Sequence, residues 1–372
     1  MALSFSLPFS SCSAIFFKNE ESLPPEPVKK QTRYLSGVQS SGRLHLGNYF
    51  GAIRNHIRLQ DQGECFYFVA NYHSFTTLQD AKQLGHYTFM VAADYLALGL
   101  DPKKALLFRQ SDVPEVTELA WLLSTVTGMG LMERAHSYKD KVAKGISPSL
   151  GLFFYPTLMA ADILIYQSDK VPVGQDQIQH IEMCRDMAGY FNNTFKKDVF
   201  KLPQEVLSEA PKVVGLTGGK MSKSDEASTI PIFGEPSEIK KKVMSIVTDS
   251  KGVNEAKDPE QNVIFLLYRL MASPGETAEM EKGFRQGGMG YGDAKKLLIA
   301  KLEELFGGET RERRKKLEEK PDQVEDILLE GARRARRVAA QTMEQVYEAT
   351  GLPMSKIKRA LLNTGLDRAS HD

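Results

Sequence analysis

An apolar run, Tyr34-Leu35-Ser36-Gly37-Val38, passes directly into a glycine-bearing turn, Ser41-Gly42-Arg43-Leu44-His45-Leu46-Gly47-Asn48. Helical spacing of Tyr49, Ile53 and Ile57 follows. This order of buried strand, turn and helix constrains the fold more than any other feature, because the hydrophobic period changes within a few residues. Gly42 and Gly47 carry no Cβ, so a nucleotide can come close to the backbone there. The helix expected to begin near Asn48 offers unpaired N–H groups to phosphate, and His45 can donate a hydrogen bond to the reacting phosphate. Taken alone, the turn fits a structural histidine before an ordinary helix equally well.

A second segment, Gly218-Gly219-Lys220-Met221-Ser222-Lys223-Ser224-Asp225, changes that balance. Two lysines stand three apart among glycines and hydroxyl residues, a composition that favours a mobile loop over a packed element. Phosphoryl chemistry needs charge on the leaving pyrophosphate and alignment of the attacking group more than covalent help. Lys220 and Lys223 are placed to supply the charge. The bland alternative is a solvated basic loop.

With both segments in hand, the chain resembles the class I aminoacyl-tRNA synthetases, whose two signature motifs end in histidine-leucine/isoleucine-glycine-histidine/asparagine and lysine-methionine-serine-lysine-serine. Within that class the resemblance narrows to the bacterial and organellar tryptophanyl-tRNA synthetases, because intermediate segments match along most of residues 33–351. It implies ATP with Mg2+ as the substrate complex and no tightly bound cofactor. It also implies L-tryptophan and tRNA(Trp) as partners, and a homodimer. By the same resemblance, Gln39, Ser41, Gly47, Asn48, Gly174, Asp176 and Lys220-Met221-Ser222-Lys223-Ser224 bind ATP, with His45, Lys220, Lys223 and Lys139 catalytic.

The segment Tyr155-Pro156-Thr157-Leu158-Met159-Ala160-Ala161-Asp162-Ile163-Leu164 is an apolar helical run with a single acid. Burying a lone carboxylate is costly, so Asp162 must meet a donor or a cation, and an indole N–H is a donor-only group that suits it. The matching aspartate of the family takes this role. Met159 would pack on the indole face, and the resemblance implies that Tyr155 and His73 belong to the same tryptophan-binding set, with a capping or core role as the alternative for His73. The alternative is a structural aspartate paired with an Arg or Lys. Further on, Val171-Pro172-Val173-Gly174-Gln175-Asp176-Gln177 reads as a short strand, a glycine turn and a polar helix start. Ligands of open α/β sheets bind outside the carboxyl ends of strands, which places Val173 and Gln177 toward the amino acid. By resemblance Gln177 contacts the substrate amino group, Gln39 lies near its carboxylate and the α-phosphate, and Lys139 reaches pyrophosphate.

Three positions depart from the family pattern. Gln175 replaces a glutamate, Ser40 replaces a proline, and Leu35 replaces an aromatic at the edge of the amino acid pocket. The Ser40 and Leu35 changes are expected to loosen the first turn.

The expected fold class is α/β, a Rossmann-like nucleotide-binding parallel sheet with a smaller all-helical domain. Residues 33–226 form the catalytic domain, with a helical insertion near 112–150, and 227–320 form the helical domain on the tRNA/anticodon side. Residues 321–372 are helices returning to the catalytic domain. Ile264, Leu267 and Leu270, then Leu297, Leu298 and Leu302, supply helical spacing in the middle lobe. Gly287-Gly288-Met289-Gly290-Tyr291-Gly292 follows no strand and is expected to be a connection, not a phosphate loop.

The 372 residues with 42% hydrophobic content are enough for a buried core and a second lobe. A net charge of +1 gives no global nucleic-acid footprint, so tRNA attraction must come from local patches. One candidate is Arg311, Arg313, Arg314, Lys315 and Lys316, where interleaved glutamates favour ordinary helical pairs on a solvated face. A second is Arg333, Arg334, Arg336 and Arg337. The 3 cysteines are too scattered for a disulfide framework or a zinc site, which implies a reducing compartment. No hydrophobic run is long enough to span a membrane. Residues 1–32 are expected to be a disordered extension. Their leading seventeen residues have no Arg or Lys, unlike a secretory signal or mitochondrial transit peptide. A cytoplasmic location is expected, with a plastid-type leader as the alternative. Two competing functions remain open at this level: a tyrosyl-tRNA synthetase, or a synthetase-like paralogue that binds RNA or protein without charging tRNA.

Overall fold

The computed structural model describes residues 31–135, 149–207, 213–223 and 225–354. Lys139, Ser224, nearly all of the N-terminal extension, part of the expected 112–150 insertion and the end of the chain lie outside these residues. From Thr32 onward the chain forms one compact unit.

Five strands make the sheet: β1 (Arg33–Val38), β2 (Glu64–Val69), β3 (Ala105–Arg109), β4 (Lys170–Val173) and β5 (Gln204–Leu207). Their order is β3-β2-β1-β4-β5, and every pairing is parallel. A parallel sheet is covered on both faces, so its central strands can be apolar throughout. Accordingly Cys65, Phe66, Tyr67, Phe68 and Val69 are all buried. Alternate residues feed two cores, Tyr34 and Tyr67 on one side, Leu35, Phe66 and Phe68 on the other. After β1 the chain builds toward β2 on one side, and β4 later adds on the other. The strand order therefore reverses between β1 and β4, where an open α/β sheet offers its ligand crevice.

The lobe after the sheet is helical, with Pro236–Met244, Val263–Arg269, Pro274–Gln286, Tyr291–Phe306 and Gly308–Glu319 as its helices. The glycine run is a connection, as expected: one helix ends at Gln286, Gly287 takes a left-handed φ of 79°, and the next helix begins at Tyr291. Leu298 and Leu302 are buried one turn apart, but Leu297 is 40% exposed, because one residue of offset rotates it off the apolar stripe. The last described helix, Pro321–Thr350, lies across β3. Gly331 permits that approach, since a Cβ there would stand 2.1 Å from the Leu107 carbonyl oxygen.

Arg311, Arg314 and Arg336 of the basic clusters are held in ion pairs, while Arg313, Lys315, Lys316 and Arg333 are exposed. Arg314 is buried against Asp94, Arg336 pairs with the buried Glu115, and Arg311 pairs with Glu303 at 2.7 Å. Arg314 corrects the expectation of a wholly solvated first cluster: its guanidinium is an internal strut. Among the described residues, no helix is long and apolar enough to cross a membrane.

Candidate active site

Two crossings at the carboxyl ends of β1 and β4 assemble the site. After Val38 the chain turns through Gln39–Leu44 into a short helix, Leu46–Asn48, capped by His45. The His45 N–H donates to Asn48 Oδ1 at 3.1 Å, so the asparagine of the motif closes the cap. A Cβ on Gly47 would lie 2.8 Å from the His45 ring, so glycine is what allows the imidazole to fold over this turn. Burial, with Lys223 nearby, lowers the His45 pKa to about 4. The ring is therefore neutral at pH 7, a donor that brings no charge of its own.

The lysine segment docks on this turn. Met221 is buried beside Gly47, so the segment is anchored in the core at its centre and is not the unpacked loop its composition suggests. Lys223 Nζ donates to the Gln39 carbonyl at 2.6 Å. Desolvation lowers the Lys223 pKa to about 8, with Asp94 acting in the opposite sense. Lys220 stands 3.6 Å from Asp176 across the crevice, both side chains more than half exposed. Desolvation works against the Asp176 carboxylate, but Gln177 and Lys220 outweigh it and its pKa is lowered. Gln177 Nε2 donates to Asp176 at 3.2 Å, and both follow Gly174 at the end of β4. Just beyond the lysines, buried Ile230 and Ile232 exchange backbone hydrogen bonds with Leu46 and Leu44. Arg43 forks onto Glu238, at 2.8 and 3.2 Å, which ties the first turn to the helical lobe. Ser41 and Ser222 are half-buried on the facing segments.

The tryptophan-binding candidates form a second, drier cluster. Tyr155, Met159 and Asp162 repeat at i, i+4 and i+7 on helix Leu150–Leu164, hence on one face. Asp162 is 2% exposed. His73 Nε2 lies 2.8 Å from Oδ2, and Gln110 Nε2 donates to both carboxylate oxygens at 2.9 Å. Burial raises the Asp162 pKa, opposed by His73 and Gln110. Its partners are thus a histidine and an amide, not the Arg or Lys of the structural alternative. Two donor nitrogens therefore serve the carboxylate, whose two oxygens can accept from roughly four donors in all. His73 also meets Tyr155 edge to face at 6.3 Å, and the Tyr155 hydroxyl is 2.7 Å from His180. Val173 is half-buried against the same core.

Gln110 escaped sequence reasoning. Its Oε1 accepts from Tyr72 and His73 N–H groups, so one amide orients both the aspartate and the segment carrying His73. Its position immediately after β3, at a strand's carboxyl end, is the signal that could have found it.

Ser40 corrects an expectation. It is fully buried, gives its N–H to Ser74 Oγ at 2.9 Å and accepts from Thr88 at 3.1 Å. A proline could not make the first bond. The residue tightens the turn and links it to the His73 segment. Leu35 is likewise packed in the core, 2% exposed.

This geometry, a glycine-bearing turn and a lysine segment meeting at the switch point of a parallel sheet beside a buried acid, belongs to a chain whose family the comparisons identify. The sequence description of tRNA synthetases class I (W and Y) matches residues 27–307, and the chain belongs to that family. Relatives of about half identity are tryptophan–tRNA ligases. The chain is 51% identical over 321 residues to the tryptophan–tRNA ligase of Rhodopirellula baltica, covering 86% of this chain and 99% of that one. Identity to the Fusobacterium nucleatum tryptophan–tRNA ligase is 49%, over 86% and 98%. The tryptophanyl-tRNA synthetase of Campylobacter jejuni, crystallised with ADP and tryptophan, superposes with a TM-score of 0.80 at 46% identity, over 86% of this chain and all of that one.

Proposed function

We infer that the protein activates L-tryptophan with ATP to tryptophanyl-adenylate and transfers the amino acid to tRNA(Trp). The observation that carries this reading is Asp162: a buried carboxylate held, among the described residues, by His73 and Gln110 and by no cation of Arg or Lys, an acceptor that suits an indole N–H, on the helix face of Tyr155 and Met159.

In the first step the tryptophan carboxylate attacks the α-phosphorus in line, and pyrophosphate leaves. Holding the two reactants together removes much of the barrier. Neutral His45 donates to a phosphate oxygen, and Lys220 and Lys223 take the leaving charge, with Lys139 assigned to the same task by resemblance. Lys220 exchanges a weak, exposed contact with Asp176 for pyrophosphate, so little is lost on rearrangement. Mg2+ enters with the ATP phosphates as part of the substrate. In the second step a ribose hydroxyl at the tRNA terminus attacks the adenylate carbonyl and AMP leaves. No protein nucleophile takes part.

On this reading the protein acts as a homodimer in the cytoplasm, with residues 227–320 forming the tRNA/anticodon-side lobe. The tyrosyl alternative is not favoured, because the relatives of about half-identity are tryptophan ligases. Amino-acid-dependent ATP–pyrophosphate exchange, run with all twenty amino acids, tests the proposal. Exchange with tryptophan alone is expected. Exchange with tyrosine would move the assignment, and exchange with none would defeat it in favour of a non-charging paralogue.

A further inference from the structure

The buried pair Asp94–Arg314 lies outside the substrate contacts, yet it joins both supports of the nucleotide turn. Asp94 belongs to helix Ala81–Ala97, and Arg314 to helix Gly308–Glu319 in the distant lobe. Their side chains are 5% and 3% exposed. Arg314 Nε donates to Asp94, Nη2 turns to Met90 one helical turn earlier, and Nη1 meets Glu318 at 3.0 Å.

From this guanidinium two short routes lead to the site. On one side, helix Ala81–Ala97 also carries Thr88, whose hydroxyl donates to Ser40. The next residue back, Gln39, supplies the carbonyl that receives Lys223. On the other side, the Arg314 guanidinium lies 5.9 Å over the ring of Phe233. The Phe233 carbonyl accepts from Arg43 of the first motif at 3.3 Å, and the adjoining Ile232 N–H donates to Leu44. One side chain thus fixes the separation between the helix behind Gln39 and the strand-like segment behind Leu44.

We propose that Asp94 and Arg314 are positioning residues for ATP: the pair clamps the two walls that hold the His45 turn and the Lys223 contact in register. Stability alone does not explain such a pair, because exchanging a buried ion pair for well-packed apolar side chains is often neutral or stabilising. The pair supplies a directional link across the lobe boundary that apolar contacts do not.

The inference rests on the adenylation reading, and its test separates the two. Tryptophan-dependent exchange is measured with MgATP and tryptophan varied separately for the parent, Asp94→Asn and the double variant Asp94→Leu/Arg314→Met. The expected result is a KM for MgATP raised about tenfold in both variants, with the KM for tryptophan changed less than about twofold. The double variant is expected to keep the parent's thermal midpoint, so the loss cannot come from unfolding. If Asp94→Asn fails to fold, the double variant decides alone. An unchanged ATP KM there, a parallel rise in both KM values, or a double variant that does not fold would overturn the positioning role. A parent that exchanges normally beside such variants leaves the adenylation reading intact, whereas a parent without exchange defeats both.

Discussion

The buried cluster around Asp162 and the exposed contact between Lys220 and Asp176 are built on opposite principles. Asp162, His73 and Gln110 are buried and bonded to one another before any ligand arrives. Lys220 and Asp176 face each other at 3.6 Å with both side chains exposed, and Lys223 donates to a backbone carbonyl. The first region is fixed in advance, as selection between similar side chains requires. The second holds Lys220 in a weak, exposed contact that pyrophosphate can replace at small cost on the proposed function. On the proposed function, selectivity belongs to the rigid half and charge stabilisation to the half that holds the lysines.

Several substitutions would break or sharpen this contrast. The largest effect is expected for Asp162→Ala, which removes the acceptor that a donor-bearing substrate needs and leaves His73 and Gln110 facing a hole. Exchange kinetics should show kcat/KM for tryptophan lower by about 10³-fold or more. A loss in ATP affinity of the same size would mean that the two halves are not separable. Next is Lys223→Ala, where kcat for exchange should fall about 10²-fold with the KM for tryptophan nearly unchanged. The same lysine sets a pH dependence. Its lowered pKa, about 8, keeps the ammonium charged below that pH and neutral above it. In the parent, kcat/KM for ATP should decline as pH rises through about 8, and Lys223→Arg should lose that inflection. His45, with a pKa near 4, contributes none between pH 6 and 8.

A smaller effect is expected for Gln110→Leu. The aspartate keeps His73 but loses an amide touching both oxygens, so tryptophan KM should rise about tenfold, measured at saturating ATP. An unchanged KM would make His73 the sole orienting group. The smallest is Ser40→Ala, which keeps the backbone bond to Ser74 and loses only the hydroxyl contacts. Urea unfolding should show a loss of about 1 kcal/mol.

How much of this was legible in the sequence follows from how local each feature is. The turn at Ser41–Asn48 and the run Lys220–Lys223 are short, and glycines and paired cations announce what their backbones do. The Asp162 cluster was legible because a lone acid in an apolar helical run must find a donor, and the family resemblance adds Tyr155 and Met159. Gln110, Arg314 and the Ser40–Ser74 bond were not, because each depends on a partner 34 to 220 residues away that no local pattern names. Ser40 misled for the same reason: read beside its neighbours it is a lost proline, and only Ser74 and Thr88 reveal it as a fastener. Leu297 shows the limit of periodicity, since two adjacent leucines cannot both face one core.

The most direct test of the contrast is calorimetric titration of tryptophan into the nucleotide-free protein. If the pocket is complete without ATP, tryptophan binds saturably, tyrosine does not, and Asp162→Ala abolishes the heat. Binding that appears only after ATP is added would contradict the account, because the pocket would then be assembled by the nucleotide.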